Sequence, residues 1–218
     1  MQAEFWHERW EKNQIGFHQS EVNSHLQAFW GRMVVPAGSR IFVPLCGKSR
    51  DMLWLQAQGF NVTGIEISAV AVRDFFAENG LKPTVTQQGA FERWECDGLV
   101  ILRGDFFQLS SVDVRECAGV FDRASLIALP PEMRVRYAQH FMAILPPGVQ
   151  TLLITLEYDQ SEMKGPPFAV HEPEVRGFYE EQCTVERLLV LDALADEPGF
   201  RQRGVTRLEE KVYLLTPN

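Results

Sequence analysis

The chain has 218 residues, 45% of them apolar and 23% charged, with a formal net charge of -8. That length and balance fit one α/β unit able to bury about 70% of its unfolded surface, and they exclude a chain that is disordered throughout. The acidic balance, with Lys and Arg scattered rather than clustered, excludes a nucleic-acid binder, which needs basic residues to displace phosphate counterions.

The opening segment, MQAEFWHERWEK, is charged where a signal peptide needs an apolar core, and no apolar run approaches the roughly 20 residues of a membrane span. A soluble, cytoplasmic protein that stays off membranes is expected. Cys46, Cys96, Cys117 and Cys183 are widely spaced, without CxxC or Cys/His pairing, and read as reduced thiols rather than a disulfide frame or a metal site.

Taken in chain order, residues 1–36 read as a helical cap. Trp6 and Trp10 stand at i, i+4 on one helix face, Gly16 stops that helix, and Val22 to Arg32 forms a second one. Arg40 to Leu45 is a short apolar run, a buried strand, followed by the turn Leu45-Cys46-Gly47-Lys48-Ser49. Ser49 caps a helix that runs to about Gln58 and stops at Gly59. Asn61 to Glu66 is a second strand ending on an acid. Ser68 then caps a helix over Ala69 to Asn79, which Gly80 closes.

Leu99 to Arg103 and Gly119 to Asp122 are the third and fourth strands. A helix from Pro130 to Leu145 begins on prolines, which a first turn tolerates, and Thr151 to Leu156 is the fifth strand. Residues 158–173, rich in Pro, Gly and charge, form a loop long enough to cover a site. After a short helix from Pro173 to Glu181, Val185 to Ala193 and Lys211 to Thr216 make an antiparallel pair at a sheet edge. The alternation predicts a single α/β domain, a mostly parallel sheet with helices on both faces.

Ligands of such sheets sit beyond the carboxyl ends of the strands, which places Leu45 to Gly47, Glu66, Gly104-Asp105-Phe106 and Asp122-Arg123 along one rim. Gly47 and Glu66 are separated by about the 20 residues over which a nucleotide-binding unit sets its acid against a ribose. A carboxylate there can take both ribose hydroxyls; the competing structural role is to cap the helix starting at Ser68. No GxGxxG follows the first strand, and Gly47-Lys48-Ser49 lacks the leading glycine of a phosphate loop, because Phe42 stands in its place. A nucleoside without phosphates remains, and S-adenosylmethionine is the common one.

The sulfonium of that donor suits an aromatic face, which Trp6 and Trp10 could supply, although a Trp pair also serves simple packing. Phe17-His18 carries the same ambiguity. Arg123 lies inside an apolar stretch and must be paired: either with a ligand carboxylate or anionic acceptor, or with Asp122 or Asp105.

These residues, in this order, resemble the thiopurine S-methyltransferase family, of the compact bacterial type. The similarity is carried by Trp6 to Gln19 (WHERWEKNQIGFHQ), Ile41 to Glu66 (beginning IFVPLCGKS), Phe121 to Leu129 (FDRASLIAL), Tyr158 to Phe168 (YDQSEMKGPPF) and Glu210 to Thr216 (EKVYLLT). The resemblance implies a class I methyltransferase (Rossmann-like) fold: seven strands, mostly parallel, the last one antiparallel. It implies S-adenosylmethionine as donor, S-adenosylhomocysteine as product, and Trp6, Trp10, Leu45, Gly47, Glu66 and Arg123 around the donor. Gly104, Asp105 and Phe106 would lie against the adenine. Phe17, Arg123 and Phe168 would face a small aromatic or heterocyclic thiol, with Arg123 positioning it.

Such a transfer depends mainly on collinear positioning and exclusion of water. The sequence offers no supported general base, which fits a soft acceptor that arrives ionised. Selenium or tellurium species are an alternative acceptor class. A non-catalytic binder of the same nucleoside is a second alternative, and an NAD-linked oxidoreductase is disfavoured by the missing fingerprint. A monomer is expected.

Overall fold

The structure, a computed structural model, describes residues 3–16 and 18–218. Among them nine strands form one sheet: β1 (Arg40–Val43), β2 (Asn61–Glu66), β3 (Thr84–Gln88), β4 (Phe91–Cys96), β5 (Leu99–Arg103), β6 (Cys117–Arg123), β7 (Gln150–Glu157), β8 (Cys183–Asp192) and β9 (Glu209–Pro217). The helices are α1 (Ala3–Glu11), α2 (Ser24–Phe29), α3 (Asp51–Ala57), α4 (Ala69–Glu78), α5 (Ser111–Val114), α6 (Ser125–Ala128), α7 (Pro131–Ile144), α8 (Glu172–Tyr179) and α9 (Pro198–Gln202).

Across the sheet the order is β3-β4-β5-β2-β1-β6-β7-β9-β8. The five strands from β5 to β7 are mutually parallel. β9 runs antiparallel between β7 and β8, so the expected antiparallel pair is present, with β8 rather than β9 at the edge. The seven-stranded expectation is corrected to nine by the hairpin of β3 and β4, which extends the β5 edge. β3 is almost wholly exposed and polar, so no buried face marks it in the sequence.

Alternation along the strands splits the core. Phe42 and Val120 point to the face covered by α7 and α8, with Tyr137, Phe141 and Tyr179. Ile41, Val43 and Phe121 point to the face covered by α2, α3 and α4, with Leu26, Leu55 and Phe75. The helix signals act as read: the Ser68 hydroxyl accepts the Ala71 amide, and Gly59 and Gly80 take left-handed backbone at the stops. The expected Ser49 cap is corrected by one residue: Arg50 is the N-cap of α3 and makes no side-chain cap bond, while the Ser49 hydroxyl, one position earlier, accepts the Asp51 amide.

Successive crossovers run from β1 to β2 to β5 on one side, and β6 starts the other side. The sheet therefore reverses between β1 and β6, which opens a crevice at their carboxyl ends.

Candidate active site

A cavity of about 310 Å³ occupies that crevice. Its floor comes from the ends of β1 (Val43, Leu45 to Gly47), β2 (Glu66), β6 (Phe121, Arg123) and β7 (Ile154 to Leu156). Trp6 and Trp10 of α1, His18, Pro166, Pro167, Glu197 and Phe200 also line it. This volume and mixed lining are those of a small-molecule site.

Two non-glycine residues on the floor, Leu45 (φ 45) and Ala124 (φ 72), hold left-handed backbone, a conformation that costs energy and is retained where surrounding structure enforces it. The enforcing bonds are at hand. Cys46 donates its amide to Ile65 at 2.9 Å, and the Ser125 hydroxyl donates to the Pro44 carbonyl at 3.2 Å. The β1 turn is thereby tied to β2 on one side and to the β6 end on the other.

Glu66 is 6% exposed and lies on the cavity wall. Its Oε2 accepts the Gly47 amide at 2.9 Å and its Oε1 accepts the Ser68 amide at 2.7 Å. Burial pushes its carboxyl above the ordinary range, opposed by the Ser68, Gly47 and Ile67 amides. The capping role foreseen for this acid is present, since it braces the next helix, and its two oxygens keep acceptor capacity beyond these amides.

Gly47 (φ +52) faces the Trp10 indole, which an added Cβ would meet at 3.2 Å. Trp10 is buried and Trp6 partly so. Phe17 lies outside the described residues.

Arg123 corrects one expectation. Neighbouring strand residues point to opposite faces, so Asp122 cannot pair with it. Asp122 is buried on the far side, where its Oδ2 accepts the Tyr137 hydroxyl at 2.8 Å. Arg123 instead faces Asp51, with Nη1 to Oδ2 at 3.7 Å. Burial lowers the guanidinium's hold on its proton, opposed in part by the Asp51, Glu210 and Glu197 charges.

Asp105 caps the turn at 106–108 by accepting the Phe107 amide at 2.9 Å. Phe106 is buried in the core, stacked on Tyr137 with centroids 4.7 Å apart. Gly104 donates to the Glu66 carbonyl at 2.9 Å, and its Cα packs on Phe91, so a side chain has no room there. These three residues sit beside the cavity and not on its lining. Phe168 is likewise off the lining, held under the Arg134 guanidinium at 5.8 Å, while Pro166 and Pro167 of the same loop reach the cavity.

Sequence reading missed Asp51, Glu197 and Glu210. Asp51 looked like an ordinary first-turn acid of a helix. Glu197 lies in a stretch with no nearby motif, and Glu210, although it opens the EKVYLLT segment, read only as part of an edge strand. Cys46 is buried under Gly64, and burial together with the Glu66 charge pushes its thiol well above the ordinary value, so it has no nucleophilic character. All four cysteines are unpaired. No described helix is long and apolar enough to cross a membrane.

The profile of the family described as Thiopurine S-methyltransferase (TPMT) matches residues 1–218. Proteins named thiopurine S-methyltransferase from Nitrosospira multiformis and Pseudomonas fluorescens (strain Pf0-1) are 47% and 52% identical over 215 residues, covering 99% of this chain and 98% and 99% of theirs. In fold, a SAM-dependent methyltransferase from Anabaena variabilis superposes with a TM-score of 0.65 at 12% identity, over 99% of this chain and 95% of that one. The 1,6-didemethyltoxoflavin-N1-methyltransferase of Burkholderia thailandensis, solved with S-adenosylhomocysteine, gives 0.62 at 13% identity, over 99% and 87%.

Proposed function

Because the chain belongs to the thiopurine S-methyltransferase family and is an S-adenosylmethionine-dependent S-methyltransferase, we propose that its rim cavity seats the donor ribose on Glu66 and a small aromatic or heterocyclic thiol, such as a thiopurine, beside Arg123. The observation that carries this reading is the presence, on one cavity floor, of a buried acid with spare acceptor capacity and a partly buried guanidinium.

S-adenosylmethionine, when bound, supplies an electrophilic methyl group. Glu66 takes the ribose hydroxyls, the Gly47 turn sets the donor's depth, and the Trp10 indole offers a face to a cationic sulfur. Arg123 orients the acceptor sulfur, and holding sulfur, methyl and donor in line is worth about 7–11 kcal/mol of the barrier. Residues 1–36 act as a cap and residues 158–173 as a covering loop, a division supported by Trp10 and Pro167 lining the same cavity. Together they keep water from the reacting centre.

The reading includes action as a monomer and a cytoplasmic location, the latter supported by four unpaired thiols. Calorimetry with S-adenosylhomocysteine and with NAD, followed by turnover of 6-mercaptopurine, tests it. Uptake of the first ligand alone together with S-methyl product is expected. No uptake of S-adenosylhomocysteine would end the proposal.

A further inference from the structure

Four carboxylates line the cavity: Asp51, Glu66, Glu197 and Glu210. Three are committed. Asp51 accepts the Asn23 amide and the Ser49 hydroxyl, both at 2.8 Å, and faces Arg123. Glu66 accepts two backbone amides. Glu210 is held by the His25 Nε2 at 2.7 Å. Among the described residues the Glu197 carboxylate has no hydrogen bond and no ion pair within contact distance. It stands at the N-terminus of α9, on the segment that packs through Phe200 against Tyr158 of the covering loop, with centroids 5.9 Å apart.

The charges around this acid are mixed. Arg123 at the end of β6 attracts a negative group, while Glu210 of β9 and the adjacent Asp196 repel one. Arg203, just beyond α9, and His18 also border the cavity. Arg123 is already compensated by Asp51, so the acceptor end does not favour a ligand that arrives as an anion.

Resting on the acceptor reading above, we propose that the thiol enters neutral and that Glu197 is its proton acceptor. The S–H proton moves to the Glu197 carboxylate as the sulfur lone pair forms the new S–CH3 bond. The methyl–sulfonium bond breaks with its electron pair retained by the donor sulfur, which becomes a neutral thioether, and Glu197 later releases the proton to water. Arg123 stabilises the negative charge that develops on sulfur while the proton leaves. Burial and the Glu210 charge both push the Glu197 carboxyl upward, closer to a thiol, which improves a base for this task.

The test compares wild type, Glu197→Gln and Glu197→Asp on 4-nitrothiophenol, which is ionised at neutral pH, and on benzyl mercaptan, which is protonated. For Glu197→Gln, kcat on benzyl mercaptan is expected to fall about 100-fold, with less than about threefold change on 4-nitrothiophenol, and Glu197→Asp should recover part of the loss. The acid limb of the benzyl mercaptan pH profile should vanish in Glu197→Gln. In the wild-type complex with S-adenosylhomocysteine, benzyl mercaptan should also shift the 13C resonance of the labelled Glu197 carboxyl. Equal losses on both thiols, no loss on either, or an unmoved resonance would overturn the role of Glu197. If wild type methylated neither thiol, the acceptor reading itself would fall instead.

Discussion

Arg123 Nη1 and Asp51 Oδ2 stand 3.7 Å apart on the cavity floor, a pair that joins the end of β6 to the first turn of α3. Asp51 is 2% exposed and is also fixed by the Asn23 amide, so the guanidinium is aimed by a rigid acid. Truncating Arg123 to Ala removes the group proposed to orient the acceptor and leaves Asp51 buried without its cation. We predict a loss in kcat/KM of at least about 30-fold on 6-mercaptopurine, from the two or more kcal/mol typical of a charged hydrogen-bond partner. S-adenosylhomocysteine affinity should change much less, and steady-state kinetics beside calorimetry separate the two effects.

Glu66→Ala deletes the proposed ribose acceptor and also the acceptor for the Gly47 and Ser68 amides. Donor affinity should fall by on the order of 100-fold or more, as two hydrogen bonds to a charged group are lost. Glu66→Gln keeps one acceptor oxygen and should lie between. An unchanged dissociation constant for Glu66→Ala would remove this acid from the donor site.

Gly47→Ala places a Cβ at 3.2 Å from Trp10 Cζ2 and asks an L residue to hold φ +52. The left-handed backbone alone costs about 1–2 kcal/mol. We expect a lower thermal midpoint together with weaker S-adenosylhomocysteine binding, because the indole must shift. Retention of both would show that the Gly47–Trp10 contact does not shape the pocket.

Asp122 offers a pH test away from the cavity. Burial pushes its carboxyl up to about 6, against the Ser125 and Tyr137 hydrogen bonds. The unfolded carboxyl titrates near ~3.9. Between those values the folded state holds more protons than the unfolded one, so this group's contribution to stability falls as pH rises from about 4 to 6. Asn at this position cannot ionise and can still accept the Tyr137 hydroxyl. The stability difference, variant minus wild type, should therefore grow by on the order of 2 kcal/mol between pH 4 and pH 7. Chemical unfolding at both pH values measures it, and a constant difference would contradict the assignment.

Arg134 is 1% exposed, forms two 2.8 Å bonds to Glu174 of α8, and lies over the Phe168 ring. Glu174→Gln leaves that buried cation without its charge partner and should cost about 2–4 kcal/mol, somewhat below the range for fully buried pairs because Glu174 is partly exposed. Thermal unfolding reports the cost. Faster proteolysis within 158–173 should accompany it if the pair anchors the covering loop through Phe168.

How much of this was legible beforehand follows from range. Ser68 and Gly80 bound α4 through bonds to residues a few positions away, so local chemistry announced them. The Gly47 to Glu66 spacing marked two residues that meet on the cavity wall, because a strand, turn and helix of ordinary length carry the chain from one strand's carboxyl end to the next. The β3–β4 hairpin left no such trace, since β3 buries neither face.

The amino-acid order alone determined the parallel α/β core, the rim at the strands' carboxyl ends, and the acid and arginine that line the cavity there, for each is written in periodicity or in a compact motif. Only the tertiary structure decided which charges meet. Asp51, Glu197 and Glu210 reach the Arg123 end of the cavity from elements far apart in sequence, and the two-residue pleat of β6 turned Asp122 into the opposite core. Pairings of that kind depend on strand order and side-chain direction, which distance along the chain does not encode.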